Sequence, residues 1–178
     1  LIVMGRVDSG NRPITMSNTL AKALAMAVNR PLSILAQRTF LDRQRGFVRG
    51  RSITDNIIET KHGQPLREVQ AAKSATVLFD FAAAFPSIAH SWIFKVLRAM
   101  KLPDRFIKVV EHLCEDAIEL LYWPGNHDKF VASAGIKQGC PLSGSLFALA
   151  LDPFIRMLCL MIPPHLGTVT AFADDLAI

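Results

Sequence analysis

The sequence predicts a mixed α/β fold of the α+β kind, an antiparallel sheet packed on helices, and three observations lead to this fold class. Hydrophobic residues make up 51% of the 178 residues and charged residues 20%, so the chain can bury a sizeable core and is not disordered. Apolar residues recur at helical spacing in several segments, whereas short β-branched runs end in aspartates. No repeat or linker divides the chain, which predicts one continuous domain.

Helical periodicity and capping residues predict five helices. They cover residues 18–35, capped by Ser17 or Asn18 and broken at Pro31; 52 to about 61, capped by Ser52; 89–100; 103–121; and 143–161. The apolar run 145–162 contains Asp152, Pro153 and Arg156, so we expect a buried helix there and no membrane span.

Two short apolar runs that end in acidic residues predict strands. Residues 76–79 are predicted to form a buried strand that is followed by Asp80. Residues 168–173 are predicted to form a strand that is followed by Asp174 and Asp175. A hairpin is predicted from 120–123 and 129–132, which flank the turn sequence Pro124-Gly125-Asn126.

Positive charge is concentrated in one stretch, residues 38–51. Five arginines stand there against Asp42, a net +4 of the chain's +5. Arginine is a planar multi-donor for phosphate, and interleaved glycines let backbone come close, so the stretch suits a polyphosphate or nucleic-acid contact. A solvated face is the competing interpretation.

The ends and the cysteines of the chain bear on its cellular context. The first residues carry neither an initiator methionine nor a basic segment followed by a long apolar run, so we expect a fragment without a signal peptide. The three cysteines show no CxxC spacing, which favours a reducing compartment. We therefore expect an intracellular protein, nuclear or cytoplasmic, not secreted and without a membrane partner.

Asp80, the pair Asp174–Asp175 and the glycine-bounded loop 135–143 form the constellation that carries chemistry. Each feature alone is as consistent with a turn as with a site. If the strands before Asp80 and Asp174 are neighbours in an antiparallel sheet, their carboxylates converge where oxygen ligands can hold two Mg²⁺ ions about 3.5–4 Å apart. Such a site suits phosphoryl transfer, with the loop glycines close to a base pair and Gln138 supplying amide hydrogen bonds.

Four ordered blocks resemble reverse transcriptases of non-LTR (LINE-like) retrotransposons. They are QRGFVRGRSITDNI at 44–57; FDFAAAF at 79–85 with His90; GIKQGCPLS at 135–143 with Leu146 and Phe147; and FADDL at 172–176. Residues Arg12-Pro-Ile14 match the family's entry segment, so the resemblance runs from about Arg12 to Ile178.

This resemblance implies the fingers and palm of a right-hand polymerase, truncated before the thumb. Residues 1–75 would belong to the fingers, 76–88 to the first part of the palm, 89–134 to fingers and connecting helices, and 135–178 to the second part of the palm. The implied activity is RNA-directed DNA polymerase, with RNA template, DNA primer and deoxynucleoside triphosphates as partners and two Mg²⁺ ions, or Mn²⁺, as cofactor. The 178 residues alone are expected to be inactive, and the oligomeric state is left open.

The resemblance also implies residue roles. The catalytic carboxylates would be Asp80, Asp174 and Asp175, and the metal ligands Asp80, the Phe81 carbonyl and Asp174. Phe85 would be the gate that excludes a 2′-hydroxyl, with a core phenylalanine as the alternative. The remaining nucleotide or template contacts would be Gln138, Gly139, Ala173, Arg45, Arg49 and Arg51.

Two other classes of protein stay open at this point. A non-catalytic RNA-binding scaffold could derive from the same fold, but the presence of all three aspartates disfavours it. An inactive remnant of a mobile element stays open, because a truncated copy can keep its motifs. A hydrolytic two-metal nuclease would explain the carboxylates but neither Phe85 nor the 135–143 loop.

Overall fold

The computed structural model describes residues 2–4, 14–70, 75–115, 118–123, 126–131 and 134–178. The helices are α1 Thr19–Thr39, α2 Ile53–Gln70, α3 Ala84–Ser87, α4 His90–Ala99, α5 Asp104–Glu115 and α6 Ser143–Met161. The strands are β1 Ile2–Met4, β2 Ile14–Met16, β3 Leu78–Phe79, β4 Ile118–Trp123, β5 Asn126–Val131, β6 Thr170–Phe172 and β7 Asp175–Ala177. The mixed fold with a small antiparallel sheet agrees with the predicted class.

The strands form two separate sheets. One has the order β2-β1-β4-β5, with β1 and β4 parallel and the other two pairs antiparallel. The other has the order β3-β7-β6 and is antiparallel throughout. This second sheet carries the acidic residues, so we call it the palm sheet.

Helix α6 is the centre of the core. Its residues Leu146, Phe147 and Leu149 are almost completely buried and pack with residues of α1, α4 and α5. Further along the helix, Ile155 packs beneath the palm sheet with buried residues of β6 and β7. The length and hydropathy of α6 would suffice to cross a membrane, but its buried positions in this core identify it as the internal helix that the sequence predicted.

Helix α1 confirms the predicted cap and corrects the predicted break. Asn18 accepts a hydrogen bond from the Ala21 amide at 2.7 Å, the usual geometry of an N-cap. The helix continues through Pro31 to Thr39, so the break was wrong. Leu32 and Ala36, both after the proline, are buried in the core, and we attribute the helix's continuation to this packing, which outweighs the local penalty of the proline.

The predicted ends of two other helices were also wrong. Helix α2 begins after Ser52 as expected, with the Asp55 carboxylate accepting from the Ser52 amide, but it continues to Gln70. Helix α5 ends at Glu115, and Ile118 and Leu121, which the predicted stripe included, belong to β4; Ala117 lies outside the described residues. The apolar residues of β4 fit both the helical and the strand periodicity. They form a strand because they pair with β1 and β5, and local sequence does not reveal these partners.

The predicted strands are present, with one correction. The hairpin around Pro124-Gly125 is confirmed as β4 and β5, although those two residues and Ala132 lie outside the described residues. The strand before Asp80 was expected to be buried, yet Leu78 is 77% exposed. The reason is the sheet order, which leaves β3 at an edge of the palm sheet. Strands β1, β2 and β7 and the short helix α3 were not predicted.

Candidate active site

The three aspartates lie at one end of the palm sheet. Because β3 and β6 are both antiparallel to β7, they run in the same direction, and Asp80 and Asp174 follow their carboxyl ends. Asp175 begins β7. Phe79 pairs with Leu176, so continuing the register by one residue sets Asp80 level with Asp175. The expectation that β3 and β6 are neighbours was wrong, since β7 lies between them.

The carboxylates are accessible and chemically available. Asp80 and Asp175 are exposed and Asp174 is half-buried, and within the described part of the chain none of the three accepts a hydrogen bond or forms an ion pair. Carboxylate oxygens are the ligands that Mg²⁺ prefers, so the donor chemistry fits that ion. Their side chains do not form a ready-made centre, because no group of three His, Cys, Asp or Glu residues able to hold a metal occurs among the described residues.

The turn between β6 and β7 is held by one buried side chain. Gln44 is completely buried, and its Oε1 accepts from the amides of Ala173 at 2.9 Å and Gly46 at 2.8 Å. Its Nε2 donates to the Ala173 carbonyl at 3.2 Å. Both backbone polar groups of Ala173 are therefore bound by a single amide side chain, directly before Asp174.

The backbone around Gln44 also pairs with the palm sheet. The Arg45 amide donates to the Ala171 carbonyl and the Ala171 amide donates to the Arg43 carbonyl, each at 2.9 Å. A Cβ at Gly46 would lie 2.1 Å from the Ala173 nitrogen, so only glycine allows this approach. The sequence had suggested that glycines in this stretch admit a phosphate, whereas Gly46 admits the active-site turn. We refer to residues 43–46 as the clamp segment.

Both arginines of the clamp segment are paired with α2. Glu59 forms ion pairs with Arg45, at 2.7 Å, and with Arg43. Arg45 also donates to the Asn56 side chain, whose own Nδ2 donates to the Ala171 carbonyl at 3.0 Å. Partial burial raises the pKa of the Glu59 carboxyl, but the hydrogen bond from Arg45 and the charge of Arg43 outweigh it and lower the pKa below its ordinary value.

The other predicted arginines differ in environment. Arg51 donates to the carbonyls of Phe40, Leu41 and Gln44 at 2.6–2.9 Å and pairs with Asp42, so its guanidinium organises the loop after α1. Arg49 is exposed and has no hydrogen bond or ion pair within the described residues. Of the three, Arg49 is the one whose guanidinium is available to a phosphate.

Phe85 lies in an aromatic cluster. Its ring stacks on Phe147 with centroids 4.3 Å apart and meets the edge of Phe47 at 5.8 Å. Phe47 is half-exposed and has a positive φ of 58°, and a Cβ at Gly144 would lie 2.5 Å from its ring. The half-buried Phe85 ring is thus fixed on two sides.

The loop 135–143 is anchored beside Phe85. The Ile136 amide donates to the Phe85 carbonyl and the Gly135 amide to the Ile88 carbonyl, both at 2.8 Å, and the His90 ring bonds the Gly135 carbonyl. Gly139 has a φ of 97° and is exposed. Gln138 next to it is half-buried. The structure therefore brings Phe85, the predicted gate, next to the loop 135–143, which was predicted to contact the nucleotide.

A groove of about 500 Å³ runs between α2 and the palm sheet and reaches Asp175. Its lining combines apolar residues of α2 and β3 with Asn56, Thr60 and Lys61. A second groove, of about 530 Å³, lies between α1, α4 and α6 and includes none of the three aspartates. The Phe81 ring meets Phe154 edge-on at 6.0 Å near the first aspartate.

Sequence reasoning missed Gln44, Asn56 and Glu59 as residues that shape the site. All three stand within or next to the motif block at 44–57: Gln44 lies between two arginines, and Asn56 and Glu59 follow the arginines on α2. A polar uncharged residue two positions before a glycine is a pattern that side-chain-to-backbone bonds can use, as the Gln44–Gly46 bond does.

The comparisons with known proteins agree with this arrangement. The family model described as reverse transcriptase (RNA-dependent DNA polymerase) matches residues 7–178, and the chain belongs to that family. The Pol polyprotein of the type-2 retrotransposable element R2DM of Drosophila melanogaster is 30% identical over 174 residues, covering 94% of this chain and 16% of that protein. The chain thus spans about a sixth of that relative's length, and the resemblance to retrotransposon reverse transcriptases is confirmed.

Solved structures show the same fold at low sequence identity. Apo telomerase from Candida tropicalis superposes with a TM-score of 0.64 and 12% identity, covering 87% of this chain and 33% of that one. Telomerase from Candida albicans, solved with a fragment of telomeric RNA, also gives a TM-score of 0.64, with 10% identity over 88% of this chain and 30% of that one. These likenesses support the fold and not a substrate.

Proposed function

We propose that this chain supplies the fingers and palm of an RNA-directed DNA polymerase of the non-LTR retrotransposon type, which adds deoxynucleotides to a DNA primer on an RNA template. One observation carries the proposal beyond family membership: β3 and β6 run in the same direction and place Asp80, Asp174 and Asp175 at one end of the palm sheet. A scaffold protein would not need these accessible carboxylates together.

The proposed chemistry is nucleotidyl transfer. The primer 3′-oxygen forms a bond to the α-phosphorus of the nucleotide while the bond to the β-phosphate breaks and pyrophosphate leaves. Asp80, the Phe81 carbonyl and Asp174 would hold Mg²⁺, which when bound lowers the pKa of the attacking hydroxyl and neutralises the leaving group. Asp175 adds negative charge beside them, and positioning of the reactants supplies much of the rate enhancement.

The residues around the acids are proposed to select and hold the nucleotide. Phe85 lies below the incoming sugar, where its fixed ring would exclude a 2′-hydroxyl. Gln138 and Gly139 contact the base pair from the loop that is anchored on Phe85. Ala173 is small and leaves room for the primer end.

The arginines divide into two proposed functions. Arg49 is available to phosphate, and Arg45 contributes positive potential at the edge of the palm sheet while paired with Glu59. Arg51 acts on the same surface by fixing the loop that carries Arg49. The match to the reverse transcriptase family and the retrotransposon origin of the R2DM relative support RNA and DNA as partners.

Primer extension by aspartate variants tests the function. The chain is assayed within a complete reverse transcriptase, either its own longer polypeptide or a chimera in which it replaces the matching segment of the R2DM protein. Asp174→Asn should abolish Mg²⁺-dependent extension of a DNA primer on RNA while leaving RNA affinity within about twofold, because phosphate contacts come from arginines elsewhere. Extension at the wild-type rate would eliminate the mechanism, and a parent protein that binds RNA but never extends would favour the scaffold.

A further inference from the structure

We propose that Gln44 is a positioning residue for the catalytic turn: its side-chain amide holds the Ala173 peptide and thereby sets the orientation of Asp174. This inference rests on the proposed function, since it assigns the aspartate that Gln44 orients to catalysis. The Gln44 side chain itself touches no substrate, because it is completely buried and each hydrogen bond of its amide group ends on backbone atoms of Gly46 or Ala173.

The conformation of Ala173 explains why the turn needs such a partner. Its φ is 56°, in the left-handed region that residues with a Cβ rarely adopt, and it is buried. A strained residue persists only where its surroundings fix it. Here Gln44 binds both the N–H and the C=O of Ala173, so a rotation of either adjoining peptide plane breaks at least one hydrogen bond.

The position in the chain links this local restraint to the chemistry. Asp174 follows Ala173 directly, and Asp175 pairs with Phe172 across the turn. The clamp segment contacts this turn through Gly46, and its backbone forms hydrogen bonds with Ala171 of β6. The clamp segment therefore restrains the position and direction of Asp174 and Asp175 relative to Asp80, which follows β3 at the other edge of the palm sheet.

The test is a rapid-quench measurement of single-nucleotide incorporation in the complete reverse transcriptase described above. Gln44→Met keeps the length and volume of the side chain and removes its three hydrogen bonds. The incorporation rate at saturating nucleotide should fall about a hundredfold, the effect of a displacement near 1 Å, with the nucleotide dissociation constant unchanged within about twofold. Burst amplitude reports the folded, active fraction separately from the rate.

Trp92→Phe is the matched control. It removes one hydrogen bond, from the indole to the Ala150 carbonyl at 2.9 Å, beside the groove between α1, α4 and α6 that includes none of the three aspartates. Its burst rate should equal that of the wild type even where its melting temperature is lower. A second readout uses amide hydrogen exchange, in which the Ala173 amide should lose protection in Gln44→Met and keep it in Trp92→Phe.

A further variant covers the case in which Gln44→Met does not fold. Gln44→Glu retains the oxygen that accepts from two amides and, assayed at alkaline pH, replaces the donor to the Ala173 carbonyl with a second oxygen, so its burst rate should also fall. Wild-type burst rates in the Gln44 variants, together with an inactive Asp174→Asn, would overturn this inference alone. An active Asp174→Asn would overturn the proposed function and the inference with it.

Discussion

At the scale of single residues, the structure separates arginines that the sequence presented as one group. Arg51 binds three carbonyls and is only 12% exposed, whereas Arg49 is exposed to solvent. The same residue type therefore occupies two environments in one stretch. Side-chain partners decide between them, and these partners are set by the loop conformation and not by charge.

This division predicts different effects for two matched substitutions. Arg49→Gln should weaken RNA binding and lower the slope of log affinity against log salt by about 0.7–0.9, because one fewer counterion is released. Arg51→Gln should lower the free energy of unfolding by about 2–3 kcal/mol, because it leaves carbonyls without their charged donor. Filter binding over a salt series measures the salt slope of RNA affinity, and chemical denaturation measures the free energy of unfolding. An unchanged salt slope in Arg49→Gln would indicate that Arg49 belongs to a solvated face and does not contact phosphate.

Phe85 gives a second prediction at this scale. The ring is held by Phe147 and Phe47, and in the proposed function this restraint would prevent it from moving aside to admit a 2′-hydroxyl. Phe85→Val should raise incorporation of ribonucleotides relative to deoxyribonucleotides more than it lowers deoxyribonucleotide use. Phe106→Val makes the same change in another phenylalanine packed against the core and should leave discrimination as it was. Equal discrimination in both variants would make Phe85 a core residue.

At the scale of elements, the clamp segment joins α2 to β6. Glu59 and Asn56 of α2 bind the clamp's arginines, and Asn56 reaches the Ala171 carbonyl of β6. Three separate pieces of chain thus meet through polar contacts at one edge of the palm sheet. This edge would otherwise expose unpaired backbone groups.

The lowered pKa of Glu59 predicts how this junction depends on pH. A carboxyl whose pKa is lower in the folded than in the unfolded chain contributes stability above its ordinary value of 4.5, and the contribution is lost as pH falls through the folded pKa. Unfolding measured from neutral pH down through 4.5 should therefore show a steeper loss of stability in the wild type than in Glu59→Gln. Glu111→Gln, which removes the ion pair between α4 and α5, serves as the control. Parallel curves for wild type and Glu59→Gln would contradict the pairing.

The elements also show which parts of the fold the sequence could predict. Helix α6 was predicted with its observed ends because its apolar run is too long for a strand, and Asp152, Pro153 and Arg156 within it disfavour a membrane span. The break at Pro31 and the end of α5 were wrong, since burial of Leu32 and pairing with β1 and β5 are non-local effects. The aspartates were found through their motifs, whereas Gln44 was not, because its importance depends on Ala173, 129 residues away.

At the scale of the whole molecule, the active-site end of the palm sheet is supported from two directions. Below it, Ile155 of α6 packs against buried residues of β6 and β7, which fixes the sheet on the core. Beside it, the clamp segment binds strand β6 and the turn between β6 and β7. The Asp152 carboxylate of α6 accepts from the Leu41 amide at 2.7 Å, so α6 also holds the loop that leads into the clamp. One central helix therefore supports both parts of the site.

The central claim is that Asp80 and Asp174 jointly bind the metal ions of nucleotidyl transfer, and anomalous diffraction tests it most directly. Crystals of the complete reverse transcriptase with primer, RNA template and nucleotide are grown with Mn²⁺ in place of Mg²⁺. The expected result is two anomalous peaks about 3.5–4 Å apart between the carboxylates of Asp80 and Asp174. The claim would be contradicted if the carboxylates of Asp80 and Asp174 lie too far apart to bind the same two metal ions and no anomalous peak lies between them.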